Sequence, residues 1–178
     1  KQEKNFIFDK IKCNILIVDD SKTINNVLTK KFKTNGYTTL NAYTLFEARE
    51  IIKQNEIHYL ILDINLPDGK GYDLLDDLKN NSIKVFILTS QKDEEKREFS
   101  FKKGIIDFII KDSILFQKIE QIIEMIEKLE KNKNETILII DDSAVIQQQL
   151  KDLFENRNYD VLLAPDENKA LDLIVSKQ

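Results

Sequence analysis

The sequence predicts a doubly wound α/β fold: a five-stranded parallel sheet of order 2-1-3-4-5, followed by the first βαβα half of a second copy. Three observations carry that expectation. Short uninterrupted apolar runs, suited to strands buried on both faces, alternate strictly with amphipathic helical patterns. These runs end on polar residues, namely Asp19-Asp20, Asp63, Thr89-Ser90 and Lys111. Finally, Ile15-Leu16-Ile17-Val18-Asp19-Asp20-Ser21 returns as Ile137-Leu138-Ile139-Ile140-Asp141-Asp142-Ser143, 122 residues further on. That correspondence runs without gaps through Ile24/Ile146, Leu28/Leu150, Phe32/Phe154, Tyr37/Tyr159, Ala42/Ala164 and Ala48/Ala170.

The elements follow in order. Residues 14–19 form a strand, and Ser21 caps a helix with Ile24, Val27, Leu28 and Phe32 on its apolar stripe. Gly36 stands where a C-terminal cap belongs, and Tyr37–Ala42 is the second strand. Thr44-Leu45-Phe46-Glu47 is a capping box for a helix that buries Ala48, Ile51 and Ile52. Tyr59–Leu62 is a strand ending on Asp63; Leu66–Gly71 is a loop and Tyr72–Lys79 a short helix. Val85–Leu88 is the fourth strand. A charged helix over about Lys92–Lys102 leads to a fifth strand, Asp107–Ile110. The last helix, from about Ile114 to Lys131, carries Leu115, Ile119, Ile122, Ile123, Ile126 and Leu129 on one side. The expected organisation is an extension at 1–12, a first domain at 13–131, a joint at 132–135 and a partial second domain at 136–178.

Composition bounds the function. With 42% hydrophobic and 33% charged residues and a net charge of −4, the chain has no basic character for nucleic acid. Its single cysteine, Cys13, excludes an internal disulfide and fits a reducing cytoplasm. No apolar run is long enough to span a membrane. Lysine stands first instead of methionine, so both ends are expected to be cut from a longer chain.

Parallel sheets present ligands at the carboxyl ends of their strands, so the polar strand-ending residues converge on one rim. An acid pair alone at a strand-to-helix turn can simply favour the helix N-terminus. Asp63, Thr89 and Lys111 at the same rim tell against that bland reading. Three carboxylates repel one another and favour a hard divalent cation, with Mg²⁺ the expected ion. A carboxylate beside such a cation, with a hydroxyl and an ammonium nearby, can accept and hold a phosphoryl group.

At these residues the chain resembles the receiver domain of bacterial two-component response regulators, a CheY-like, flavodoxin-like fold. The likeness rests on Asp19-Asp20, Asp63-Ile64-Asn65-Leu66-Pro67-Asp68-Gly69-Lys70-Gly71, Leu88-Thr89-Ser90 and Asp107-Phe108-Ile109-Ile110-Lys111. It implies that Asp63 is the phosphoacceptor, served by a sensor histidine kinase or a histidine phosphotransfer protein. Mg²⁺ would be held by Asp19, Asp20, Asp63 and the backbone carbonyl of Asn65. Thr89 and Lys111 would hold the phosphoryl group, while Thr89 and Phe108 would switch a protein-protein surface. The segment would be a signalling module and not an enzyme. One departure is the residue after the lysine: the family usually has a cis proline, whereas Asp112 here sets another carboxylate beside Lys111.

Two rival readings remain. One is a degenerate receiver that docks or dimerises without phosphorylation. The other is a Mg²⁺-dependent hydrolase with an aspartyl-phosphate, of the haloacid-dehalogenase kind, although Asp63-Ile64-Asn65 lacks that family's second acid. The second copy carries the acid pair Asp141-Asp142 and stops before any acceptor aspartate. Its edge, Ile137–Ile140, and its helix positions Ile146, Leu150 and Leu171 are expected to lack partners, which favours a homodimer. Tandem receivers resemble the front of a larger regulator, with a diguanylate cyclase as the expected output.

Overall fold

In a computed structural model, the structure describes residues 13–78, 82–89, 105–112 and 114–176. The expected charged helix at 92–102, the N-terminal extension and Ser90 lie outside the described residues. By internal packing the chain divides into a unit ending at Ile119 and a unit starting at Glu120.

In the first unit, the apolar runs form β1 (Asn14–Val18), β2 (Thr38–Ala42), β3 (Tyr59–Asp63), β6 (Lys84–Thr89) and β7 (Ile105–Ile110). They hydrogen-bond in the order β2-β1-β3-β6-β7, every pair parallel, which is the predicted doubly wound sheet. The register aligns the carboxyl ends: Val18 pairs with Leu62, Asp63 with Leu88, and Thr89 with Ile110. Residues at or just past those ends therefore share one rim.

The helices close the faces. Ser21 caps α1 (Lys22–Thr34), its Oγ accepting the Ile24 amide at 3.4 Å, and Gly36 follows with φ 85°. Thr44 caps α2 (Leu45–Gln54) through the Glu47 amide at 3.1 Å. Glu47 reaches back to the Tyr43 amide, at 2.7 Å, one residue before the position the capping box implies. Within α2, Leu45 and Ala48 are fully buried, whereas Ile51 and Ile52 are only half-buried against the core. That core gathers Leu16, Val18, Leu60 and Leu62 of the sheet with Leu45, Ala48, Leu74 and Leu75 of the helices. Each such leucine or valine side chain contributes roughly 1.5–3 kcal/mol on burial.

Beyond shifts of a residue or two at other element ends, two segments differ from expectation. The segment predicted as a plain loop contains a tight antiparallel hairpin, β4 (Asn65–Leu66) with β5 (Gly69–Lys70), running directly into α3 (Gly71–Asp77). Gly71 is required there: a Cβ would overlap the Asp63 carbonyl oxygen, so only glycine lets α3 start against the end of β3. Strand β7 also starts at Ile105, two residues early, because Ile105 and Ile106 are both buried.

Helix α4 (Leu115–Asn132) buries Ile119, Ile122, Ile123, Ile126 and Leu129, with Leu115 half-buried. None of the described helices is long and apolar enough to cross a membrane. Cys13 is buried and forms no disulfide. His58 sits at the opposite end of the sheet from the rim, its Nδ1 accepting the Asn14 amide at 3.2 Å, a structural role.

The second unit contains β8 (Thr136–Ile140), α5 (Ala144–Glu155), β9 (Asp160–Ala164) and α6 (Glu167–Ser176), the extra βαβα segment. Its two strands are parallel, with Thr136 opposite Asp160 and Ile140 opposite Ala164. Among the described residues β8 pairs with β9 alone. Large apolar side chains accordingly stand in solvent on this unit, including Ile140, Ile146, Leu171 and Ile174.

Candidate functional site

The rim is built from the backbone outward. Asp19 follows β1, and its amide donates to the Ala42 carbonyl at 3.1 Å, extending the β1–β2 ladder by one rung. Its own carbonyl accepts from Nδ2 of the buried Asn25 at 2.5 Å, and its Oδ1 accepts the Ser21 amide at 2.9 Å. Held on these sides, Asp19 directs Oδ2 toward the neighbouring strand ends. Asp63 closes β3, almost fully buried, with Oδ1 3.4 Å from the Asn65 amide. Asp20 is exposed beside them.

Lys111 reaches in from the end of β7. Its Nζ lies 2.7 Å from Oδ2 of Asp63 and 2.6 Å from Oδ2 of Asp19. The Asp19 contact is one of charge and not of alignment, since that oxygen lacks a well-oriented hydrogen-bond partner. Burial pushes the Asp19 carboxyl above its ordinary range; the Lys111 ammonium and the Ser21 amide pull only part of the way back. Thr89 is buried at the end of β6, and its carbonyl accepts the Lys111 amide at 2.7 Å. Phe108 is half-buried against the core of the sheet.

One ammonium among three carboxylates leaves excess negative charge. Ligand oxygens of Asp19, Asp20 and Asp63 all lie within 4.8 Å of one another, the one such group of three or more among the described residues. An all-oxygen donor set in which one ammonium faces three carboxylates suits a hard divalent cation. Asp141 and Asp142 repeat the local turn, with the Ser143 amide 2.8 Å from Oδ1 of Asp141. No third carboxylate joins them among the described residues.

Asp112 turns away from the rim. Its Oδ1 accepts the Ile114 amide at 3.1 Å and its Oδ2 meets Nζ of Lys118 at 2.5 Å. That Lys118 bond holds the Asp112 carboxyl below the usual range. The Lys111–Asp112 peptide is trans.

Three supports escaped the sequence reading. Asp68, in the hairpin turn after Asp63, accepts the Leu45 and Phe46 amides at 2.8 and 2.9 Å and so caps α2 from outside it. Lys70 reaches across the hairpin to Oδ1 of Asn65 at 2.7 Å. Asn25 anchors Asp19. Only Asn25 left a trace in the sequence: a polar residue on an apolar stripe, matched by Gln147.

A doubly wound parallel sheet with an acidic cluster and an opposed lysine at its carboxyl rim defines a class, that of CheY-like signalling domains. Residues 15–127, more than half of the chain, match the response regulator receiver domain, and the chain belongs to that family. It is 30% identical over 99 residues to the aerobic respiration control protein ArcA of Escherichia coli K12, covering 55% of this chain and 42% of ArcA. It is 27% identical over 124 residues to the probable transcriptional regulator ycf27 of Porphyridium aerugineum, covering 67% of this chain and 52% of the relative. The chain thus spans about half the length of such relatives. Among solved structures, a putative two-component system response regulator/GGDEF domain protein superposes with a TM-score of 0.77 at 26% identity, covering 93% of this chain and 66% of that one. A CheY-like receiver from Methanospirillum hungatei JF-1 gives 0.60 at 28% identity, covering 67% of this chain and 98% of that one.

Proposed function

We propose that Asp63 accepts a phosphoryl group from a phosphohistidine on a sensor kinase or phosphotransfer protein. The observation that carries this reading is the Lys111 ammonium, 2.7 Å from Asp63 and 2.6 Å from Asp19, inside the acidic cluster. An Asp63 carboxylate oxygen attacks phosphorus; the O–P bond forms, the N–P bond breaks, and the imidazole leaves and takes up a proton. Lys111 exchanges its pairing with Asp63 for the phosphoryl oxygens, and the Thr89 hydroxyl donates to one of them. Asp19, Asp20, Asp63 and the Asn65 carbonyl would hold Mg²⁺, which when bound neutralises the charge gathering on the phosphoryl oxygens. Movement of Thr89 toward the phosphoryl group vacates space that Phe108 fills, shifting the balance between two surface states.

We assign residues 13–131 to this receiver and 136–178 to part of a second one. The 122-residue spacing supports the tandem reading, as does the superposition of the GGDEF-type regulator over 93% of the chain. The same likeness supports a diguanylate cyclase as the output that this segment controls. The exposed apolar side chains of the second unit favour a homodimer, and the acidic composition favours a cytoplasmic role without nucleic-acid contact. The test is intact mass after incubation with Mg²⁺ and acetyl phosphate, beside Asp63→Ala. One added phosphoryl group that needs both Mg²⁺ and Asp63 is the expected result. A folded protein that takes up no label, with rapid hydrolysis excluded by acid quenching, establishes the docking module instead. Multiple turnover of small phosphate esters establishes the hydrolase.

A further inference from the structure

Lys111 must hold its ammonium between two carboxylates at the end of a long, flexible side chain, so its backbone has to be fixed. The residue after it is aspartate, which does not lock the backbone as proline does. Lys118 lies close by. Its Nζ donates to the Ile110 carbonyl at 3.1 Å and to Oδ2 of Asp112 at 2.5 Å, the residues on either side of Lys111. The Lys111 amide is itself tied to the Thr89 carbonyl at 2.7 Å. Lys118 is largely buried and stands near the N-terminal end of α4, where the helix dipole disfavours a cation. Its two partners offset that penalty through charge-assisted bonds.

We propose that Lys118 is a positioning residue for Lys111: bonded to the Ile110 carbonyl and the Asp112 carboxylate, it clamps the backbone on both sides and fixes the Lys111 ammonium between Asp19 and Asp63. This rests on the reading of Asp63 and Lys111 given above. Asp112 thereby stabilises the site and does not compete with phosphate, and the pair takes the place of a rigid residue after the lysine.

The first readout needs no phosphorylation. In protein labelled with ¹³C at lysine Cε, the Lys111 signal, assigned through Lys111→Arg, moves toward the free-lysine position in Lys118→Met and stays in place in Lys118→Arg. The second readout is the rate of phosphoryl uptake from acetyl phosphate at saturating Mg²⁺. Lys118→Met is expected to slow it about tenfold, equivalent to ~1.4 kcal/mol of barrier. Lys118→Arg keeps the wild-type rate to within about twofold, since it retains the charge and donors. Asp112→Asn, at a more exposed position, slows uptake about threefold because the bond loses its charge assistance. An unmoved Lys111 signal in folded Lys118→Met overturns the proposal, as does an unchanged rate in both Lys118→Met and Asp112→Asn. If Lys118→Met does not fold, Asp112→Asn decides by both readouts. A wild-type protein that takes up no phosphoryl group overturns the reading of Asp63, while the Lys111 signal still decides the clamp.

Discussion

Asp19 and Asp141 are held by the same local frame. Each donates its amide to an alanine carbonyl, Ala42 or Ala164, at 3.1 Å, and each accepts a serine amide on Oδ1. A side-chain amide takes the carbonyl of each, Asn25 at 2.5 Å and Gln147 at 2.6 Å. Behind them, Phe32–Tyr37 and Phe154–Tyr159 form edge-on ring pairs with centroids 6.0 and 5.9 Å apart. The surroundings are where the two differ. Asp19 is buried against Lys111 and near Asp63, whereas Asp141 is half-buried and shares its turn only with exposed Asp142. Val18 is 0% exposed under Leu62, and its counterpart Ile140 is 55% exposed. A β-α-β stretch of about thirty residues, Thr136–Ala164, thus encodes the acid turn by itself. The proposed phosphoryl chemistry needs the side chains brought by β3 and β7.

The largest effect separates the two turns. Asp63→Asn should abolish Mg²⁺-dependent phosphoryl uptake, while Asp141→Asn and Asp142→Asn leave it unchanged; intact mass reads both. Loss of labelling in the Asp141 variant breaks the distinction. Next, Val18→Ala should cost about 2 kcal/mol in urea unfolding as a cavity in a packed core, and Ile140→Ala under ~0.5 kcal/mol at its exposed site. Equal costs would mean that Ile140 is covered in solution. The turn after each first helix gives a finer contrast. Gly36, at φ 85°, is matched by Asn158 at φ 65°, whose Nδ2 donates to the Leu129 carbonyl at 3.2 Å. Gly36→Ala should cost about 1–2 kcal/mol for the left-handed backbone. Asn158→Gly should change stability less, because relief of strain opposes the lost bond.

The smallest effect concerns the second helices. Thr44 and Asp166 occupy corresponding caps, but only α2 gains Asp68 as well. Asp68→Ala should cost about 1 kcal/mol, as lost caps do. The Leu45 amide, then Phe46, holds the Asp68 carboxyl below its ordinary 3.8. Its folded value is depressed, so the stability it contributes is present above 3.8 and lost as pH falls through the lower folded value. Acid unfolding of Asp68→Ala should lack that component.

Strands β1, β3 and β6 were legible because each is an unbroken apolar run, and the acids at their ends were legible because parallel strands align them. The hairpin at Asn65–Lys70 was not, since rungs of two residues have no period to detect. Asp68 reads as turn chemistry until the fold carries it to a helix that starts 23 residues earlier in the chain. Lys118 reads as one more charge on a polar helix face, because its partners lie across a turn whose path the sequence does not specify.

The Asp68 cap closes a circuit. From Asp19 the path crosses one hydrogen bond to Ala42, follows the chain to Leu45, and crosses to Asp68. It then runs back along the hairpin to Asp63 and returns to Asp19 through the Lys111 ammonium. A closed linkage has fewer free movements than the same links in an open line. The β1–β3 pairing sets the spacing between Asp19 and Asp63, and the ring ties the short connection between β2 and α2 to the same rim. One residue added after Tyr43 would lengthen that ring and loosen the Asp68 cap, while the pairing of Val18 with Leu62 keeps the two acids side by side.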